Sequence, residues 1–166
     1  MTHSKINFGK IASITSTAIA LLFSLSGCSN AESTRELGLV GYNHSGSSIG
    51  SYAVTVGDKK REGGYIGPGQ GGASEICCVI VPKTWKPGMT ATISILNYDG
   101  KKFTTTEQVV PVPKYDGGRE TMFSVHFLND GRIKVFVDQY DLWHKDYPLK
   151  GKEAEMRPGE PIEVRE

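Results

Sequence analysis

Cys77 and Cys78 stand next to each other, and their pairing is the least ordinary chemistry in this chain of 166 residues. In a regular strand, successive side chains point to opposite faces, which would leave two separate thiols protected by burial. A vicinal disulfide is the alternative, against the strain of adjacent Cα atoms about 3.8 Å apart where disulfides prefer about 4.4–6.8 Å. The strand geometry favours buried thiols over the disulfide. A metal site is the least favoured reading, because no Cys/His spacing of the zinc kind accompanies the pair.

Gly46-Ser47-Ser48-Ile49-Gly50 matches the G-x-S-x-G of a hydrolase nucleophile elbow. That motif works where a strand-to-helix turn strains the serine onto the top of a parallel sheet, whereas a second strand signal follows here. A Gly/Ser turn is expected, with hydrolysis through Ser48 kept as a minor alternative. His44, His126 and His144 could in principle include a general base, but His126 sits in the alternating run Ser124-Val125-His126-Phe127, where a satisfied sheet histidine is the ordinary case. His144 has Asp141 and Asp146 nearby, but no nucleophile or carboxylate pair for it to serve. No catalytic residue, cofactor or metal is assigned, and the chain reads as a binding protein and not an enzyme.

Contact chemistry is more suggestive. Tyr140, Trp143 and Tyr147 cluster among alternating charges, and Trp, Tyr and Arg are enriched where binding energy concentrates. Trp85 lies between Lys83 and Lys86 in the turn Lys83-Thr84-Trp85-Lys86-Pro87-Gly88. For each group, a contact role competes evenly with covering the end of a core. Gly63–Gly72 holds six glycines in ten residues; without the lysine and hydroxyl spacing of a phosphate-binding loop, it reads as a turning loop. Gly67 and Gly69 stand in it as contact candidates, because loops on a rigid scaffold often carry binding.

The N-terminus reads as an address. Lys5 and Lys10 precede an uncharged stretch from Ile11 to Leu25, too short to span a bilayer and suited to the apolar part of a signal peptide. It ends in Leu25-Ser26-Gly27-Cys28, which resembles a bacterial lipobox. Residues 1–27 are expected to be removed and Cys28 to carry the lipid. More than one acyl chain anchors stably. No Asp follows Cys28 as a retention signal, so a periplasm-facing anchor in the outer membrane is expected. This accounts for the odd cysteine among three. Removing Lys5 and Lys10 leaves 17 basic against 18 acidic side chains, without the basic excess of a nucleic-acid binder. Residues 28–36 read as a lipidated tether reaching up to about 25–30 Å from the membrane surface.

The elements that must position these residues are strands. Apolar or alternating runs occur at 37–43, 49–56, 76–81, 90–98, 101–110, 121–128 and 132–137. Asp99-Gly100 and Asn129-Asp130-Gly131 are hairpin turn signals. About seven short strands predict a single antiparallel β-sandwich over 37–148, of immunoglobulin-like type. The charged, Pro/Gly-punctuated residues 149–166 read as a flexible tail.

Taken in order, the lipobox, Gly41-Tyr42-Asn43-His44-Ser45, the glycine-rich loop, Cys77-Cys78-Val79 and Pro82-Lys83-Thr84-Trp85-Lys86-Pro87-Gly88 resemble a proteobacterial lipoprotein family of unknown function. The resemblance spans about residues 28–140. Members of that family look to be encoded beside type VI secretion effectors of the phospholipase class, as their immunity lipoproteins. The resemblance implies a protein that binds a phospholipase toxin in the periplasm, with no catalytic residue carried over. The rival expectation is a non-catalytic lipoprotein that binds or assembles another component of the cell envelope.

Overall fold

The computed structural model describes residues 33–71, 76–98 and 101–156. Residues 1–32, with the expected signal segment and Cys28, residues 72–75, the expected Asp99-Gly100 turn and residues 157–166 lie outside the described residues. Eight strands are formed: β1 (Thr34–Asn43), β2 (Ser51–Val56), β3 (Lys59–Gly63), β4 (Ile76–Pro82), β5 (Thr90–Tyr98), β6 (Phe103–Pro111), β7 (Met122–Phe127) and β8 (Ile133–Asp138). They make two four-stranded sheets, ordered β4-β1-β7-β8 and β3-β2-β5-β6, and the fold is a β-sandwich.

Several expectations are corrected in detail. The sandwich is not wholly antiparallel, since β1 and β7 pair in parallel from Gly38↔Met122 to Asn43↔Phe127. Its strand order also differs from the ABED and CFG sheets of immunoglobulin domains. The additional strand is β3, Lys59-Lys60-Arg61-Glu62-Gly63, whose four charged residues are exposed and give no apolar alternation. It is built by its turn: Gly57 has φ +61° and Asp58 a negative φ, the type II′ pattern that joins β2 to an antiparallel neighbour. The Asn129-Asp130-Gly131 turn forms as expected between β7 and β8, with Gly131 at φ +82°.

The main core lies between the sheets. Leu37, Leu39, Val79, Val81, Phe123, Val125 and Val135 from the first sheet meet Tyr52, Val54, Ala91, Ile93 and Val110 from the second. Arg61 Nε donates to the Cys78 carbonyl at 3.1 Å, bonding β3 to β4. Gln108 Nε2 donates to Gly131 O at 3.0 Å, bonding β6 to the β7–β8 turn.

A second apolar cluster covers the outer face of the first sheet: Val40, Tyr42, Leu128, Leu142, Tyr147 and Leu149, with Phe136, Ala154 and Met156 against it. The chain after β8 therefore does not leave the domain at residue 149. It runs back as a strap to Met156, with a 3₁₀ turn at Gly151–Glu153 and Glu153 paired to Arg132 and Lys134. The expectation of a flexible tail is corrected for residues 149–156. β1 begins at Thr34, so residues 34–36, expected in the segment before the sandwich, belong to the sheet. Among the described residues, no helix is long and apolar enough to cross a membrane.

Candidate functional site

β1 and β7 place Tyr42 opposite His126 on the outer face of the first sheet, and the two rings stack with centroids 4.7 Å apart. His126 Nδ1 lies 2.8 Å from His44 Nε2, and His126 Nε2 lies 2.5 Å from the Tyr147 hydroxyl. His44 Nδ1 meets the Glu155 carbonyl at 3.2 Å. A carbonyl only accepts, so His44 Nδ1 carries the proton and the rest of the chain is fixed. His126 Nδ1–H donates to His44 Nε2, and Tyr147 O–H donates to His126 Nε2.

Burial lowers the pKa of His44, although the Glu155 carbonyl works the other way. Burial also holds His126 well below the ordinary histidine value, helped by His44 and Lys134. Burial pushes the Tyr147 phenol up. These are neutral rings locked into a second core by the strap. They can orient one another, but the pair is sealed: His44 is 2% exposed and His126 0%.

Tyr147 is 0% exposed, so it is corrected from a surface contact to an interior hydrogen-bond donor. Trp85 is half-buried against the main core, and its Nε1 donates to Val112 O at 2.8 Å, so its indole N–H is committed within the fold. In the glycine-rich loop, Gly67 is buried, and its carbonyl accepts from Asn43 Nδ2 at 3.1 Å. Gly69 forms the adjacent turn at φ +65°. Ser48 stands in the β1–β2 connection with no helix after it, and its hydroxyl lies 2.9 Å from that of the exposed Tyr65, which follows β3.

Trp143 remains outward. It is 66% exposed, with its ring edge-on to the buried Tyr42 at 5.9 Å. Asp141 Oδ1 accepts from the backbone N–H of both Trp143 and His144, which fixes the turn that presents the indole. Tyr140 is half-buried and stacks on His144, with centroids 3.8 Å apart and planes 2° apart. Tyr140 also borders a cleft of about 470 Å³ lined by Lys114, Asp116, Arg119, Glu120 and Asp138.

One wall of that cleft is built by Glu120. Its carboxylate accepts from Arg35 at 2.6 Å and from the N–H groups of Asp116 and Gly117 at 2.8 and 2.9 Å. Burial raises the Glu120 pKa, but the backbone donors and Arg35 outweigh it and hold the carboxyl below its usual value. Neither Arg35 nor Glu120 was a candidate in the sequence; 85 positions separate them, and only the fold joins them.

The cysteine pair resolves as a disulfide. The physical reason lies in the strand register. Leu37 pairs with Val79 and Leu39 with Ile76, so the single residue Gly38 faces both Cys77 and Cys78. This β-bulge breaks the alternation that would send the sulfurs to opposite faces. The expectation of buried thiols is corrected on a second count, since Cys77 is exposed and Cys78 half-buried.

Among the described residues, the geometry thus offers an outward Trp143 braced on the second core, a bonded sulfur pair at a sheet edge, and a sealed histidine–tyrosine chain. No curated protein and no solved structure matches the sequence. Residues 42–135 match the family model described as "Protein of unknown function (DUF3304)", a stretch from the end of β1 into β8 that includes His44, Cys77, Cys78, Trp85 and His126. That stretch is more than half of the chain, and the protein belongs to the DUF3304 family.

Proposed function

We propose that this chain is an immunity lipoprotein: anchored through Cys28 and facing the periplasm, it binds a type VI secretion phospholipase effector and neutralises it by occlusion, without catalysis of its own. The observation that carries this reading is Trp143, 66% exposed yet backed by Tyr42 in the second core. A large aromatic side chain held in place before binding spends little ordering entropy on association, and such residues are common binding anchors. Tyr140 and His144, already stacked, extend the surface towards the charged cleft. The lipobox and the family resemblance support the placement and the class of partner. An anchor also raises the inhibitor's concentration beside the membrane that a phospholipase attacks.

Co-expression with a type VI secretion phospholipase effector, should one be encoded beside it, is the test. The proposal expects restored viability and a stable complex on purification. Undiminished toxicity together with no complex overturns it.

A further inference from the structure

We propose that the Cys77–Cys78 disulfide is a reducible closure over a metal site, and that Cys77, Cys78 and Glu36 together bind one thiophilic divalent cation, such as Zn²⁺, once the disulfide is opened. The two sulfurs and a Glu36 carboxylate oxygen all lie within 4.8 Å of one another. β4 is an edge strand, Cys77 and Glu36 are exposed, and Cys78 is half-buried, so both a reductant and a cation have access from solvent. The bulge opposite Gly38 aims both sulfurs to one place, and strand alternation alone would forbid that. Two thiolates and a carboxylate are a donor set that zinc accepts, and three protein ligands leave a fourth tetrahedral position open. Arg61 Nε donates to the Cys78 carbonyl, which ties β3 to the strand that carries the pair.

The opening step needs an external dithiol. One of its thiolates attacks the exposed Cys77 sulfur, the S–S bond breaks, and its electron pair leaves on Cys78, giving a mixed disulfide. The second thiol of the dithiol then displaces Cys77. The reagent departs as a cyclic disulfide, and the protein gains two electrons and two protons as two thiols. Cation binding releases those two protons.

The test uses the full chain carrying Cys28→Ser, so that the pair supplies the only cysteine thiols. One sample is reduced with dithiothreitol and desalted without oxygen, a second is left oxidised, and both are titrated with Co²⁺ as a spectroscopic probe. We expect one Co²⁺ per reduced chain with a sulfur-to-cobalt charge-transfer band, displaced by Zn²⁺, and no band in the oxidised chain. Cys77→Ser is expected to remove the band. Glu36→Gln is expected to keep it while weakening binding by about tenfold or more. Reduced chain without the band overturns the proposal, as does equal binding by oxidised chain. A band that survives in a Cys77→Ser/Cys78→Ser double variant overturns it as well. The comparison of oxidised with reduced chain needs no substitution in the pair, so a misfolded variant cannot decide the result.

Discussion

Tyr147 shows how a single hydroxyl can close a buried network. Its O–H is the donor that His126 Nε2 requires, and Tyr147→Phe leaves that nitrogen without a partner in the interior. The expected cost is about 1–3 kcal/mol, read from urea unfolding; unchanged stability would remove Tyr147 from the network. The two histidines also set a pH dependence. Their folded pKa values lie below the ordinary one, so the unfolded chain takes up protons first as pH falls. Stability from the pair is whole above about pH 6.5 and is lost progressively below it. Urea midpoints measured from about pH 8 to about pH 5 should be level and then fall, and level midpoints throughout would refute this. The sequence placed His126 correctly in a strand as a satisfied histidine. It did not show the partners, because Tyr147 lies 21 positions away and His44 82. Only the parallel β1–β7 register and the returning strap bring them together.

At the scale of elements, the strap at 149–156 is what turns the outer face of the first sheet into a second core. Leu149 is buried, Ala154 and Met156 pack on the cluster, and Glu155 supplies the carbonyl that orients His44. Truncation after Pro148 should destabilise the domain by at least about 2 kcal/mol, since one buried leucine alone is worth about that much. The same truncation should make the amide protons of β7 exchange faster, and native exchange rates in the shortened chain would count against the strap. Charge and Pro/Gly punctuation hid this segment, because few of its residues are apolar. β3 was hidden for a related reason: four exposed charged residues at a sheet edge carry no alternation. Well-patterned strands such as β5 and β8 were legible because one face of each is buried and the other is not.

For the whole molecule, strand count sufficed to indicate a sandwich, since so many short apolar runs without helical period have few other ways to bury their faces. Strand order was not legible. Pairing partners are chosen by crossovers and by bulges such as Gly38 against Cys77-Cys78, which no local pattern reports. The aromatic surface was partly legible. Of Tyr140, Trp143 and Tyr147, the first is half-buried, the second exposed and the third sealed, because the turns between β8 and the strap point each side chain differently. Trp143→Ala should weaken a complex with the phospholipase effector by about 2 kcal/mol, roughly thirtyfold, while leaving the fold intact. The most direct measurement titrates the purified protein into the effector acting on phospholipid vesicles. Inhibition is expected to be complete at one molecule of this protein per enzyme, with Trp143→Ala needing about thirtyfold higher concentration at low enzyme. Full phospholipase activity in the presence of excess wild-type protein would contradict it.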